Sequence, residues 1–436
     1  MTPNGLKNIM NNPVVQNLLN LINKRPVIIW GARMTGIGFY RFARRHDLKA
    51  VGFVDSDPSL AGKEIYGLTV NLPSQLSSLK NQYSDLFIIV AASTKEDEII
   101  DWLNKNDLAS ADYINYKDYC KNFFTIDISG RCNLKCPACA SGLLPPSSRS
   151  HGFMSLYDFK KITEKILEEV GLISHFCLYN WGEPILHPQI DLFVDYAHQM
   201  GIAIAISTNF SVDLPERLSR LVKSSPDIFK ISVSGYYPEV YETTHAGGNI
   251  NLVKSNMYRL KYYRERYNSS FPVEVNYHLY KNNIGADLTK MKELCQELGF
   301  LFSTCYANVT SAERVIQYCQ GKIDAKTEEL SKLLLVDIKS GLEATRPFHH
   351  LPCRFLDNQV NINWDRSVAL CCVSHGSAEA TIAADFLKIS LPEIEKLKQN
   401  RVLCRACLAC GIPSYIMGLN RPAWDKAANQ KEGSFN

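Results

Sequence analysis

No apolar run in these 436 residues approaches the ~20 that a membrane-spanning helix needs. The start, Met1-Thr-Pro-Asn-Gly-Leu-Lys7, lacks the basic segment and apolar stretch of a secretion signal. Charge of one sign is scarce as well. The balance of 48 Lys and Arg against 44 Asp and Glu leaves +4, too mild to argue for nucleic acid or an anionic membrane as a partner. These shortages lead to the expectation of a cytoplasmic protein. What the chain does have is an ordinary globular composition, 46% hydrophobic and 21% charged, and length enough for two or three domains with substantial cores.

It also has 14 cysteines, unevenly placed. Nine fall into two groups, Cys132/Cys136/Cys139 and Cys353/Cys371/Cys372/Cys404/Cys407/Cys410. In a reducing compartment such grouping argues for metal ligation over disulfides. The scattered Cys120, Cys177, Cys295, Cys305 and Cys319 read mostly as small buried apolar residues.

The first group sits in Cys132-Asn-Leu-Lys-Cys136-Pro-Ala-Cys139, after a strand expected over Phe123–Ser129 in which Thr125, Asp127 and Ser129 share one face. Three neighbouring thiolates can close around zinc or an iron–sulfur cluster. Closed zinc sites take four ligands, and no fourth Cys or His is near, His151 being the nearest. Gaps of three and then two residues resemble those of the radical S-adenosylmethionine (radical SAM) superfamily. Downstream, Trp181-Gly182-Glu183-Pro184 matches three of four positions of that family's Gly-Gly-Glu-Pro motif, with Trp181 replacing the first glycine. The resemblance implies a site-differentiated 4Fe-4S cluster on Cys132, Cys136 and Cys139. It implies S-adenosylmethionine held by Gly182, Glu183 and Pro184, and an electron donor such as flavodoxin or ferredoxin.

Residues 121–345 then read as six strand–helix repeats, a partial (β/α)6 barrel. Ser207 and Asn209 lie in a segment like the family's SAM-binding one, and Ser232 and Ser234 alternate with Ile231 and Val233. These four are expected to bind the cofactor. His245 takes the place of an arginine usual in the family. In the fifth strand Glu274, Asn276, His278 and Tyr280 share a face that should point into the lumen, because helices cover a barrel's outside. His278 and Cys305 are the candidate catalytic residues, Cys305 as a hydrogen-atom donor.

The N-terminal 1–120 alternates strands with helices and reads as a Rossmann-like parallel sheet. Gly31, Gly36 and the acid Asp55 are placed to receive a nucleotide, although Arg33 occupies the second glycine of the Gly-x-Gly-x-x-Gly pattern. The run Val51–Pro58 with Gly62–Val70 resembles nucleotide-binding domains of bacterial sugar-tailoring and surface-polysaccharide enzymes.

In the C-terminal 346–436, a hairpin turning at Asp365-Arg366-Ser367 and a Cys-x-x-Cys turn bring thiols together. Cys353, Cys371, Cys404 and Cys407 are the favoured ligands, with Cys410 and Cys372 in competition. The arrangement resembles the SPASM/twitch extension of radical SAM enzymes, which implies one auxiliary 4Fe-4S cluster; the spacing also admits zinc. The expected function is reductive cleavage of S-adenosylmethionine and hydrogen abstraction from a sugar or nucleotide-linked sugar, leading to oxidation or epimerisation. A SPASM-type peptide-modifying enzyme and a non-catalytic iron–sulfur or redox-sensing module are the alternatives.

Overall fold

The computed structural model describes residues 12–92, 95–106, 110–145 and 151–432. The segment examined for a secretion signal lies outside them. Among the described residues no helix is long and apolar enough to cross a membrane.

Two sheets organise the chain. The first contains β1 (Val27–Trp30), β2 (Ala50–Val54), β3 (Glu64–Ile65), β4 (Leu68–Asn71), β5 (Phe87–Val90) and β6 (Tyr113–Asn115) in the order β3-β4-β2-β1-β5-β6. Apart from the β3–β4 hairpin its pairings are parallel. β1 and β5, Val-Ile-Ile-Trp and Phe-Ile-Ile-Val, are buried at every position. Strands covered on both faces read as unbroken apolar runs for this reason.

The second sheet holds β7 (Phe123–Ile126), β8 (His175–Cys177), β9 (Ala203–Thr208), β10 (Ile228–Val233), β11 (Val273–Leu279) and β12 (Leu301–Tyr306). These six are parallel and neighbour one another in chain order, as an open (β/α) barrel requires. The intervening helices carry strong local signals. Ser155 caps Leu156–Val170 by accepting from the Asp158 N–H, and Gly171 ends it at φ 73°; Asn249 caps Ile250–Arg266.

The C-terminal hairpin does not stand apart. β13 (Gln359–Ile362) pairs in parallel with β7, and β14 (Val368–Ala369) and β15 (Thr381–Ala383) extend the barrel sheet beyond it. The N-terminal sheet is likewise joined to the barrel. Its core continues into Ala203, Ala205 and Ile228. A Cβ on Gly38 would lie 2.3 Å from the Ser174 Oγ, so only glycine allows the helix Met34–Arg45 to lie this close. The fully buried Asp227 binds the two halves together. It accepts from Arg41 (2.6 Å) and Tyr66 (2.5 Å) of the N-terminal half, and from His198 and the Ile204 N–H (2.8 Å each) of the barrel. Burial raises the Asp227 carboxyl, but these donors outweigh it and hold it below the usual range. Removing one partner of such a pair costs about 3–5 kcal/mol.

Candidate active site and cluster ligands

A cavity of about 670 Å³ opens at the carboxyl ends of the barrel strands, where catalytic loops of such folds gather. Cys132, Cys136 and Cys139 all line it. Their loop is tied down from several sides: the Lys135 N–H donates to Ala246 O (2.8 Å), the Asn133 amide to Ser211 O (2.8 Å), and the Thr310 hydroxyl to Ala138 O (2.7 Å). Gly142 follows so closely that a Cβ there would sit 2.5 Å from Cys136 O. Among the described residues no group of three or more His, Cys, Asp or Glu side chains converges tightly enough for a single metal ion. A four-iron cluster spaces its thiolates farther apart, and three thiols on a fixed loop fit it.

Opposite this loop, the turn Trp181-Gly182-Glu183 is built by buried carboxylates. The Trp181 and Gly182 N–H groups donate to Asp127 Oδ2 (2.9 and 3.2 Å). A Cβ on Gly182 would stand 1.5 Å from Ser129 O, so glycine is obligatory. Glu183 Oε1 accepts from the Thr208 hydroxyl (2.6 Å) and the Ile185 N–H (3.0 Å), and Oε2 from the Asn209 N–H (2.8 Å). Burial pushes the Glu183 carboxyl up to about 7 and that of Asp127 up to about 6, against the opposing pull of these hydrogen bonds. Among the described residues Asp127 Oδ1 is buried without a hydrogen-bond partner.

The structure sorts the expected cofactor residues. Gly182, Glu183, Ser207, Asn209 and Ser232 line the cavity, with the Ser207 and Ser232 hydroxyls 3.4 Å apart. Asn209 donates to Asn133 Oδ1 (3.0 Å) and lies 3.8 Å from Cys132 Sγ, linking cofactor wall to cluster loop. Pro184 and Ser234 do not line it. Pro184 is buried in the first position of a short 3-10 helix. Ser234 lies one residue past β10, fully buried, where its hydroxyl meets Thr244 and His245 Nδ1 (2.6 Å). His245 stacks on Tyr241 at 4.7 Å, and burial together with His278 pushes it down to about 3, so it is neutral.

The polar row of β11 divides between two ends of the barrel. His278 and Tyr280 line the cavity, and Asn276 bonds Ser303 (3.1 Å) and Cys305 (3.2 Å). Glu274, at the floor, accepts from Ser303 (2.6 Å) and faces Arg33 of the N-terminal half at 3.6 Å. Cys305 is not a buried apolar residue but a wall of the cavity. Burial alone would raise its thiol, yet the hydrogen-bonded His278, with Arg421 and Lys230, brings it below its ordinary value. The same contact raises His278 against burial. The sulfur donates its S–H to Asn276 Oδ1, which keeps the thiol hydrogen at the cavity wall.

At the C-terminal thiols, Cys353, Cys371, Cys404 and Cys407 line one small cavity with Leu356, Leu370, Val373 and Leu403. The segment expected to be a Cys-x-x-Cys turn is the helix Val402–Ala409, whose pitch puts Cys404 and Cys407 on one side. Cys410, at the end of that helix, is instead partnered by Cys319. Cys372 points away into a different cavity beneath the barrel. Burial pushes Cys404 up to about 11 and raises Cys353, Cys371 and Cys407, so a bound cation is what would make them thiolates. Four thiols lining one cavity are the donor set that an iron–sulfur cluster takes.

In the N-terminal sheet, Gly31 and Asp55 border a second cavity of about 670 Å³, whereas Gly36 packs against Gly31 inside the turn. Two features escaped the sequence reading. Asp127 was legible only as a polar residue in the strand before the motif. Trp181 meets His375 in a tilted ring contact at 4.6 Å, bridging to the loop after Cys371-Cys372. In the orientation that satisfies both its amide groups, Asn180 donates to Cys372 O (3.2 Å) and accepts from Trp181 Nε1 (3.0 Å).

Comparison with known proteins gives a match to the radical SAM superfamily over residues 126–279. The chain is 23% identical over 174 residues to the AdoMet-dependent heme synthase of Methanosarcina barkeri (strain Fusaro / DSM 804), covering 40% of this chain and 46% of that protein. It is 28% identical over 120 residues to the antilisterial bacteriocin subtilosin biosynthesis protein AlbA of Bacillus subtilis (strain 168), covering 27% of this chain and 25% of that one. Among solved structures, Streptococcus suis SuiB bound to precursor peptide SuiA aligns with a TM-score of 0.46 and 14% identity, covering 91% of this chain and 84% of SuiB. The chain thus spans less than half the length of these two curated relatives. The expected preference for a sugar or nucleotide-linked sugar over a peptide is overturned by the likeness to AlbA, a protein of bacteriocin biosynthesis. A parallel sheet at the N-terminus had weighed against peptides, but none of the described residues of that sheet lines the cavity at the cysteine loop. Residues 126–279, the stretch that carries the cysteine loop and the Trp181-Gly182-Glu183 turn, thus form a radical SAM domain.

Proposed function

We propose that this protein is a radical SAM enzyme that abstracts a hydrogen atom from a peptide, with an auxiliary cluster on its C-terminal thiols. The carrying observation is the single cavity that unites Cys132, Cys136 and Cys139 with Gly182, Ser207, Asn209 and the Cys305–His278 pair. The likeness to AlbA supports the peptide class. When bound, the cluster and S-adenosylmethionine supply a 5′-deoxyadenosyl radical as the hydrogen acceptor.

The chain's own residues hold and position. Cys132, Cys136 and Cys139 would hold the first cluster, and Cys353, Cys371, Cys404 and Cys407 the second. Asp127 fixes the Trp181–Gly182 backbone, and Glu183 ties that turn to the end of β9. Asn209 joins cluster loop to cofactor wall. Cys305 and His278 stand hydrogen-bonded at the cavity wall, and the Cys305 S–H donates to Asn276 Oδ1, which orients the sulfur.

The test is anaerobic incubation with reductant, S-adenosylmethionine and a pool of deuterated ribosomal peptides, beside Cys136→Ala. Wild type should form 5′-deoxyadenosine carrying deuterium, and the variant neither product nor label. Unlabelled 5′-deoxyadenosine from the wild type would keep the radical chemistry and remove the peptide. Its absence from a fully iron-loaded wild type would remove both.

A further inference from the structure

The cavity at the N-terminal sheet takes no part in the chemistry above. It opens at the carboxyl ends of β1, β2 and β5, where strand order reverses about β1 and open α/β sheets bind their ligands. Gly31 takes φ 122°, with Ala91 O only 2.4 Å from where a Cβ would stand. A Cβ on Gly36 would be 1.7 Å from Gly31 O. This tight turn sets the N-terminus of the twelve-residue helix Met34–Arg45, with Arg33 and Thr35, at the edge of the cavity. Asp55, at the end of β2, accepts from the Ala32 N–H (2.8 Å) and the Asp57 N–H (2.9 Å), which fixes its carboxylate at the rim.

The far wall is aromatic. Trp30 and Trp102 meet edge to face at 5.1 Å. Trp30 lines the cavity and is 2% exposed, yet its indole N–H finds no acceptor among the described residues. Buried donors are almost always paired, so an acceptor belongs in this cavity.

We propose that the cleft binds a nucleoside 5′-phosphate. The phosphate sits at the helix N-terminus beside Arg33, the ribose diol on Asp55, and the planar base along Trp102 with an acceptor for the Trp30 N–H. Each part of the ligand meets a group already in place. Arg33 is half-exposed and shared between Asp57 (2.9 Å) and Glu274 (3.6 Å), so it can turn to a phosphate.

The experiment is calorimetric titration of the full chain with AMP, GMP, CMP and UMP, with the matching nucleosides as controls. At least one nucleotide should bind and quench tryptophan fluorescence. Its affinity should fall about tenfold in Arg33→Ala and on removal of the phosphate, as loss of a charge-assisted contact predicts. Asp55→Asn should weaken nucleotide and nucleoside alike; circular dichroism checks its fold, and Arg33→Ala decides the matter if that fold is lost. Binding should survive in Cys136→Ala, because it does not depend on the radical site. No binding at millimolar nucleotide, indifference to Arg33→Ala, or loss in Cys136→Ala would each overturn the proposal.

Discussion

The two cysteine groups of this chain bring thiols together by opposite means. Cys132, Cys136 and Cys139 lie on one loop of eight residues, and the backbone alone keeps them near each other. Cys353, Cys371, Cys404 and Cys407 come from three segments, and meet only because β13 and β14 extend the barrel sheet and a helix packs over them. The first site is therefore local and the second tertiary. Spacing identifies which thiols a local site brings together. In a tertiary site neighbours in sequence part company: Cys371 lines the thiol cavity while Cys372 points to another, and Cys407 lines it while Cys410 turns to Cys319.

The sharpest way to break this contrast is iron analysis of Cys407→Ala beside Cys410→Ala. Cys407→Ala should lose the iron of one cluster and keep 5′-deoxyadenosine formation, whereas Cys410→Ala should keep all its iron. Equal iron loss in both would mean that Cys410 ligates and that the helix carrying it rearranges on loading.

A smaller effect is expected opposite the local site. Gly182→Ala puts a methyl group 1.5 Å from Ser129 O, and the backbone must move to admit it. Overpacking of this kind should cost about 3 kcal/mol in urea denaturation and weaken S-adenosylmethionine binding. Unchanged stability would show that the turn is not held as tightly as Asp127 and Ser129 imply.

The smallest effect concerns Glu183. Its carboxyl, pushed up to about 7, lies above the ordinary value, so the folded chain holds a proton that the unfolded chain releases. Stability from this group is fully present below the ordinary carboxylate range and is lost as pH rises towards 7. The decline from pH 5 to 8 should be about 1–3 kcal/mol, and Glu183→Gln should flatten it. Asp127, raised to about 6, contributes with the same sign over a narrower window and remains in the variant. A stability that rises with pH in the wild type would contradict the burial argument.

Much was legible beforehand because its signals are periodic or local. The barrel strands, their helices and the cysteine loop follow from alternation, caps and spacing. Ser207, Asn209, Ser232 and His278 fall on the face that alternation assigned to the lumen. Ser234 escaped that rule because β10 ends at Val233, and beyond a strand the period of two no longer fixes direction. Cys305 gave no signal distinguishing a cavity wall from core, since only its register opposite His278 decides that.

The sequence by itself determined the parallel strands of the N-terminal sheet and of the barrel, and the local thiol triad. Tertiary structure alone decided which four of six C-terminal cysteines share a cavity. It also placed the Asp227 carboxylate between the two halves of the chain and set Glu274 between barrel lumen and Arg33. The division has one physical cause. Contacts within a turn or a strand period are set by backbone geometry a few residues long. Contacts between segments hundreds of residues apart depend on how whole sheets and helices pack.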